Sequence, residues 1–203
     1  MSSNTAAKTP ANTTTKTRMM VQIAMLTAVA EVLMLFDLPL PFAPSFYKID
    51  LSEVPILIGC FAMGPAAGII IEAMKILLNF IISGTVTAGV GELANFAIGC
   101  SMVLPAGLIY RYHKTRKNAV LGMAAGTLVM AAIGGLLNAF VLLPAYAALF
   151  GGMDAIIGMG TAVNKNITSV QSFVLLSVVP FNLVKGVIVS LVTFLLYKHV
   201  SRV

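Results

Sequence analysis

The sequence has few charged residues and no tryptophan. Only 10% of its 203 residues are Asp, Glu, Lys or Arg, while 59% are hydrophobic. A soluble domain carries about 25% charged residues, so this chain lacks the polar side chains that would cover a water-exposed surface. Long apolar runs fill most of the sequence from Met19 to Leu196, which indicates an integral membrane protein.

Motifs for catalysis and metal binding are also missing. No G-x-x-x-x-G-K-[ST] loop occurs, so we expect no ATP hydrolysis by the P-loop route. Cys60 and Cys100 lie in apolar runs and form no metal or disulfide pattern. His113 and His199 lie in basic segments without a nucleophile or metal partner. We therefore predict that the chain is not an enzyme and holds no metal or cofactor.

Six apolar segments predict an all-α integral membrane fold, a bundle of six transmembrane helices. Their approximate bounds are 19–36, 54–63, 66–82, 91–110, 119–143 and 169–197. The second segment is short and ends at Gly64-Pro65, and Pro144 is predicted to stop the fifth. The sixth exceeds the roughly 20 residues that a crossing needs, so we expect it to tilt or kink.

The distribution of basic residues predicts the orientation of the bundle. Nine of the 13 basic residues fall in the N-terminal tail, in the loop between the fourth and fifth spans, and at the C-terminus: Lys8, Lys16, Arg18, Arg111, Lys114, Arg116, Lys117, Lys198 and Arg202. By the positive-inside rule, both termini and this loop face the cytoplasm. Such clustering fits membrane topology better than nucleic-acid binding.

Two regions are predicted along the chain. Residues 1–18 are polar and contain no apolar signal-peptide core, so we expect a disordered cytoplasmic tail. Residues 19–203 form the six-helix transmembrane domain that binds the substrate.

Polar side chains within spans are costly and therefore mark functional positions. At about 1.5 Å of rise per residue, five of them fall in the outer half of the predicted bundle. These are Glu92, Asn95, Asn138, Asn182 and Lys185. Pro180 frees a backbone carbonyl one turn earlier, and irregular backbone beside polar side chains typically lines a cavity. The pattern predicts a polar cavity open to the outside.

Three other ionisable residues in the spans have two readings. Glu72 and Lys75 are spaced i,i+3, so they either hold the bundle together as a pair or take part in function. The same two readings, structural and functional, apply to Glu31 in the first span.

An ordered series of short strings runs through the chain after residue 18. The strings are Phe46-Tyr47-Lys48-Ile49-Asp50-Leu51-Ser52-Glu53-Val54-Pro55, Gly64-Pro65, Gly91-Glu92-Leu93-Ala94-Asn95-Phe96, Asn138-Ala139-Phe140, Leu143-Pro144-Ala145-Tyr146 and Pro180-Phe181-Asn182-Leu183-Val184-Lys185-Gly186. Together they resemble the riboflavin-specific S components (RibU type) of energy-coupling factor (ECF) transporters.

The resemblance implies a function and a set of partners. Such a subunit captures riboflavin at the extracellular side of the bacterial cell membrane. It associates with a transmembrane T component and two ATP-binding subunits, which drive uptake, so riboflavin is cargo and ATP is used by the partners alone. Ala24 and Ala28 match the alanine pair of the first helix that docks on the T component.

The resemblance also assigns roles to individual residues. Asn138, Asn182 and Lys185 fall where such proteins contact the flavin, and Lys48 belongs to an outer loop that closes over it. Because the chain has no tryptophan, the aromatic residues expected to stack on the flavin ring are Phe46, Tyr47, Tyr146 or Phe181. The predicted substrate-binding set is Lys48, Glu92, Asn95, Asn138, Tyr146, Asn182 and Lys185.

Other functions remain open at this point. An S component for another vitamin or for FMN shares the architecture, although a phosphate would favour a basic cluster on the outer side. Only Lys48 and Lys165 lie in the predicted outer loops. A stand-alone flavin permease is a further alternative. An intramembrane enzyme would need a nucleophile and a base at matching depth, and the sequence offers neither.

Overall fold

The computed structural model describes residues 11–41, 43, 44, 46–85 and 87–200. Within this range the chain forms nine α-helices, two π-helical segments and one two-stranded ribbon. The helices are α1 (Ala11–Leu35), α2 (Glu53–Met63), α3 (Pro65–Ser83), α4 (Val90–Tyr112), α5 (Arg116–Leu137), α6 (Leu143–Phe150), α7 (Met153–Val163), α8 (Val170–Phe173) and α9 (Val179–Val200). In the ribbon, β1 (Leu38–Pro39) pairs antiparallel with β2 (Lys48–Ile49).

Five helical stretches are long and apolar enough to cross a membrane. They are Thr15–Leu35, Pro65–Ser83, Val90–Tyr112, Arg116–Phe150 and Val170–Tyr197. The prediction of an all-α membrane protein is therefore confirmed, and these stretches cover five of the six predicted spans. The remaining one, α2, has 11 residues, and Gly64 (φ 102°) separates it from α3 as the Gly-Pro pair predicts.

Helix α1 begins earlier than the first predicted span. It starts at Ala11 rather than near Met19, because no proline or glycine between these residues interrupts the helix. Residues 11–18 of the predicted disordered tail are thus helical, which corrects that part of the prediction. Residues 1–10 and Arg202 lie outside the described residues.

The prediction that Pro144 ends the fifth span is wrong. The helix continues from Leu137 through the π-helical segment Asn138–Leu142 into α6, which ends at Phe150. The wider π turn shifts the hydrogen-bond register, and Pro144 then occupies the first turn of α6, where its missing N–H costs little. The same arrangement recurs at Pro180, which follows the π-helical segment Val174–Val178. The predicted irregularity at Pro180 is therefore present.

Helix α7 was not predicted from the sequence. It is apolar but has only 11 residues, and it follows two glycines with positive φ, Gly151 and Gly152, that turn the chain back after α6. Its buried Ile156 packs with Leu143 and Phe173 in an apolar cluster beneath the ribbon. A second cluster, around Met102, fills the space between α2, α4 and α5.

Glycines on α5 allow α4 to approach very closely. A Cβ atom added at Gly122 would lie 2.7 Å from the backbone oxygen of Ala106, and one added at Gly126 would lie 2.4 Å from that of Met102. The small-xxx-small spacing of Gly122 and Gly126 therefore serves contact within the bundle.

We expect Gly126→Ala to destabilise the protein, because the new methyl group would meet the Met102 backbone oxygen rather than a movable side chain. The loss should be about 1–3 kcal/mol, measured as a lower Tm in detergent. Gly158→Ala in α7 is the control, since nothing lies within 4 Å of an added Cβ there. Equal Tm values for the two variants would contradict the close approach of α4.

Candidate substrate-binding cavity

A polar cavity of about 290 Å³ lies at the ribbon end of the bundle. Its walls come from the ribbon, the loop between its strands and the residue after it, the start of α4, the first π-helical segment, α6 and the start of α9. The lining residues are Met34, Asp37, Phe46, Tyr47, Lys48, Asp50, Thr87, Gly91, Glu92, Asn95, Ile98, Asn138, Leu142, Tyr146, Phe181, Asn182 and Lys185.

The structure places all seven predicted substrate-binding residues on the wall of this one cavity. They come from five regions of the chain: Lys48, Glu92, Asn95, Asn138, Tyr146, Asn182 and Lys185. The two alanines predicted to dock a partner, Ala24 and Ala28, lie elsewhere, on the exposed side of α1.

Asn138 lies in the first π-helical segment and is held by two hydrogen bonds. Its Nδ2 donates to the backbone oxygen of Gly134 at 2.7 Å. Its Oδ1 accepts from the hydroxyl of Tyr47, which lies in the loop between the two strands of the ribbon. Burial raises the pKa of the Tyr47 phenol above its ordinary value, so this group remains a neutral donor.

Asn182 lies beside Asn138, with Gly134 between them. Its Nδ2 donates to the backbone oxygen of Val178 at 2.9 Å, within the turn that the second π-helical segment disturbs. A Cβ atom added at Gly134 would lie 2.8 Å from that Nδ2. Gly134 thus lets two buried carboxamides approach the same wall, one from the first π-helical segment and one from α9.

The buried ammonium group of Lys185 pairs with the carboxylate of Asp50 at 3.0 Å. Asp50 also accepts hydrogen bonds from the backbone N–H of Ser52, at 2.8 Å, and from its hydroxyl. The positive charges of Lys185 and Lys75 and the hydrogen bonds from Ser52 stabilise the ionised form of this buried carboxylate.

Asp50 is a site residue that the sequence pattern did not predict. Asp50 lies within the string 46–55 that carried the resemblance, but no local pattern indicates its partner, which is 135 positions away. A buried lysine needs a counter-charge, and this requirement was the one signal that pointed to an acidic residue in the first loop.

A second group of charges lies behind the cavity and does not line it. Lys75 contacts Glu53 Oε1 and Glu72 Oε2, both at 3.0 Å, and donates to the hydroxyl of Ser52 at 3.2 Å. The predicted Glu72–Lys75 pair is therefore present, and of its two readings the structural one fits its position. Gly99 of α4 leaves the space that the Glu72 carboxylate occupies.

Glu31 of α1 is buried and also lies outside the cavity lining. Its Oε1 accepts a hydrogen bond from the side chain of Asn79 in α3 at 3.2 Å. The structural reading fits this residue as well, since the bond joins two neighbouring helices.

Aromatic rings form one side of the cavity. Phe46 contacts Tyr47 at a centroid distance of 4.7 Å and Tyr146 at 5.6 Å, and Tyr47 contacts Phe181 at 5.3 Å. All four aromatic residues suggested by the sequence therefore meet at the site.

The remaining predicted residues are near the mouth of the cavity and the start of α4. Lys48 pairs with Asp37 at 2.9 Å across the ribbon, and both side chains are exposed. Glu92 accepts a hydrogen bond from the hydroxyl of Thr87 at 3.2 Å. Asn95 lies one turn further along the same helix.

An interior polar cavity within a bundle of apolar helices defines a membrane protein that binds a small molecule. Residues 18–197 match the family model of the ECF transporter, substrate-specific component. The chain therefore belongs to the substrate-specific (S) components of ECF transporters, and it is a multi-pass bacterial membrane protein.

Individual relatives cover nearly the whole chain. Riboflavin transporter RibU of Staphylococcus aureus (strain TCH60) is 34% identical over 183 residues, which cover 90% of each protein. Riboflavin transporter FmnP of Bacillus subtilis (strain 168) is 32% identical over 183 residues, covering 90% of this chain and 91% of the relative. A solved S component of a bacterial ECF transporter superposes with a TM-score of 0.74 at 35% identity, covering 92% of this chain and 97% of that one.

We expect Asp50→Asn to destabilise the protein by about 3 kcal/mol, because it leaves the Lys185 charge buried without a partner. The double variant Asp50→Asn/Lys185→Met should recover most of that loss, measured as Tm in detergent at neutral pH. If the double variant is as unstable as the single one, the two residues are not coupled.

Proposed function

We propose that this chain is the riboflavin-binding S component of an ECF transporter and that the polar cavity is its riboflavin site. The observation that carries this proposal is the meeting of two buried carboxamides with a wall of aromatic rings. The names of the relatives support the choice of riboflavin.

The chemistry of the lining suits a flavin. The flat ring system of riboflavin is largely apolar and has amide-like donors and acceptors along one edge. Asn138 and Asn182 each offer both a donor and an acceptor at the cavity wall. Phe46, Tyr146 and Phe181 can cover the ring faces, as in most small-molecule sites, where a few polar groups orient a ligand in an apolar pocket.

The charges of the cavity favour a neutral ligand. Two lysines in the lining are already paired, Lys48 with Asp37 and Lys185 with Asp50. Glu92 adds a further negative charge without a cation partner among the described residues. The lining therefore has no free positive charge for a phosphate, and this favours riboflavin over FMN.

We further propose six membrane crossings with both termini in the cytoplasm. Helix α2 makes one crossing together with the loop residues 50–52 that precede it, of which Asp50 and Ser52 are buried. The basic residues of the α4–α5 loop then lie on the cytoplasmic side, and the cavity opens at the opposite, extracellular face.

Uptake would depend on partner subunits. Ala24 and Ala28 form an exposed small-residue stripe on α1 that can approach the T component closely. Two ATP-binding subunits would supply the energy.

Riboflavin titration of the purified protein, stripped of bound ligand, tests the proposed cargo. We expect one-to-one quenching of flavin fluorescence on binding. Excess thiamine should not displace riboflavin, and FMN should displace it only weakly. Because the chain has no tryptophan, no indole emission complicates the measurement. Folded protein that does not quench flavin fluorescence would contradict the riboflavin assignment.

Asn182→Ala should weaken riboflavin binding by about 1–3 kcal/mol, a fold-change of roughly 5 to 150 in Kd, because a buried hydrogen-bonding partner is lost. Asn79→Ala is the control, since Asn79 lies outside the cavity lining. If both variants weakened riboflavin binding equally, the loss would come from a general destabilisation of the fold and not from a contact between Asn182 and the ligand.

Ala24→Trp should leave riboflavin binding unchanged and reduce uptake in cells that contain the partner subunits, because the indole would prevent close approach to α1. Ile81→Trp, at another exposed apolar position, on α3, is the control and should allow normal uptake. A loss of riboflavin binding in the Ala24→Trp protein would contradict the separation of binding and docking surfaces.

A further inference from the structure

A second groove, distinct from the polar cavity, runs along the outside of the bundle between α5 and α9. It has a volume of about 560 Å³ and extends from Val120 to Leu128 on α5 and from Leu183 to Phe194 on α9. Both helices belong to membrane-crossing stretches, so the groove opens toward lipid. Along α9 the groove covers 12 residues, Leu183 to Phe194, and about 17 Å, close to the half-thickness of a hydrocarbon core of about 30 Å.

The groove offers almost no hydrogen-bonding groups. Its two polar side chains, Thr127 and Ser190, are turned toward one another, with their hydroxyl oxygens 3.5 Å apart. Thr127 also donates to the backbone oxygen of Met123 at 2.9 Å. An occupant of this groove therefore meets apolar surface and should itself be apolar along its length.

One end of the groove is strongly basic. A hollow of about 440 Å³ shares Val120 and Phe194 with the groove and ends at Arg116 and Lys117. Both side chains are exposed at the first turn of α5, where the membrane-crossing stretch begins.

Carboxylates do not neutralise this basic end. The sequence contains no acidic residue between Glu92 and Asp154 and none after Asp154. Within the described part of the chain, the salt bridges of 4.0 Å or less involve neither Arg116 nor Lys117. An apolar groove one leaflet long with two free cations at the interface is complementary to an acyl chain that ends in a negatively charged headgroup.

We propose that the α5–α9 groove binds an anionic phospholipid, with one acyl chain along α5 and α9 and its phosphate at Arg116 and Lys117. The inference depends on the membrane assignment and is independent of the riboflavin proposal. Each basic residue near a membrane surface favours an anionic lipid by roughly a factor of five, so the two together predict a preference of roughly 25-fold over a zwitterionic lipid.

Tryptophan fluorescence can test this preference directly, because the natural chain has none. The F194W protein carries the indole in the groove. In bilayers with acyl-chain-brominated phosphatidylglycerol or brominated phosphatidylcholine, the quenching curves give the relative association constant of the two lipids at the indole. The I70W protein is the control, because Ile70 is exposed to lipid on α3 near Pro65, at the same end of the bundle as the α4–α5 loop.

We expect a preference of roughly 25-fold for phosphatidylglycerol in the F194W protein and nearly none in the I70W protein. Adding R116Q and K117Q should abolish the preference, whereas adding R111Q and K114Q removes the same charge from the neighbouring loop and should retain most of it. Equal preference at both positions, or equal effects of the two charge pairs, would overturn the proposal. So would an indole shielded from both lipids in a dimeric protein, since a second copy would then fill the groove.

Discussion

Lys75 and Lys185 lie in the interior of a protein surrounded by lipid, where an unpaired ammonium group is far more costly than in water. Asp50 pairs with Lys185, while Ser52 and Glu53 contact Lys75, so one short segment supplies most of their partners. This segment joins the ribbon to α2. The need to pair both charges therefore fixes residues 50–53 against α3 and α9. Asp50 of this segment lines the cavity.

Much of the fold follows from properties that are local in sequence. The apolar runs predict the long helices because lipid requires every backbone group to be bonded within its own segment. Depth along those helices then brings Asn138, Asn182 and Lys185 to one level, and the structure places them on one cavity. The break at Gly64 follows equally from local backbone preference, since a glycine adopts its positive φ without strain.

The features that the sequence did not reveal depend on distant contacts or on register. The partner of Lys185 is 135 positions away, and that of Asn138 is 91 positions away, so no local spacing indicates either. Pro144 normally ends a helix, and only the π turn before it allows the helix to continue. Helix α7 is stabilised by burial of Ile156 beneath the ribbon rather than by its own sequence pattern.

The hydrogen bond between Tyr47 and Asn138 affects how a ligand can bind. A ring edge that took the place of the phenol on the carboxamide oxygen of Asn138 would exchange one hydrogen bond for another. The net gain from such an exchange is small, and most of the affinity would then come from removing the flat faces of the ligand from water. Selectivity and affinity would thus have separate origins: the carboxamides would reject rings with the wrong edge, while the aromatic wall would set the strength of binding.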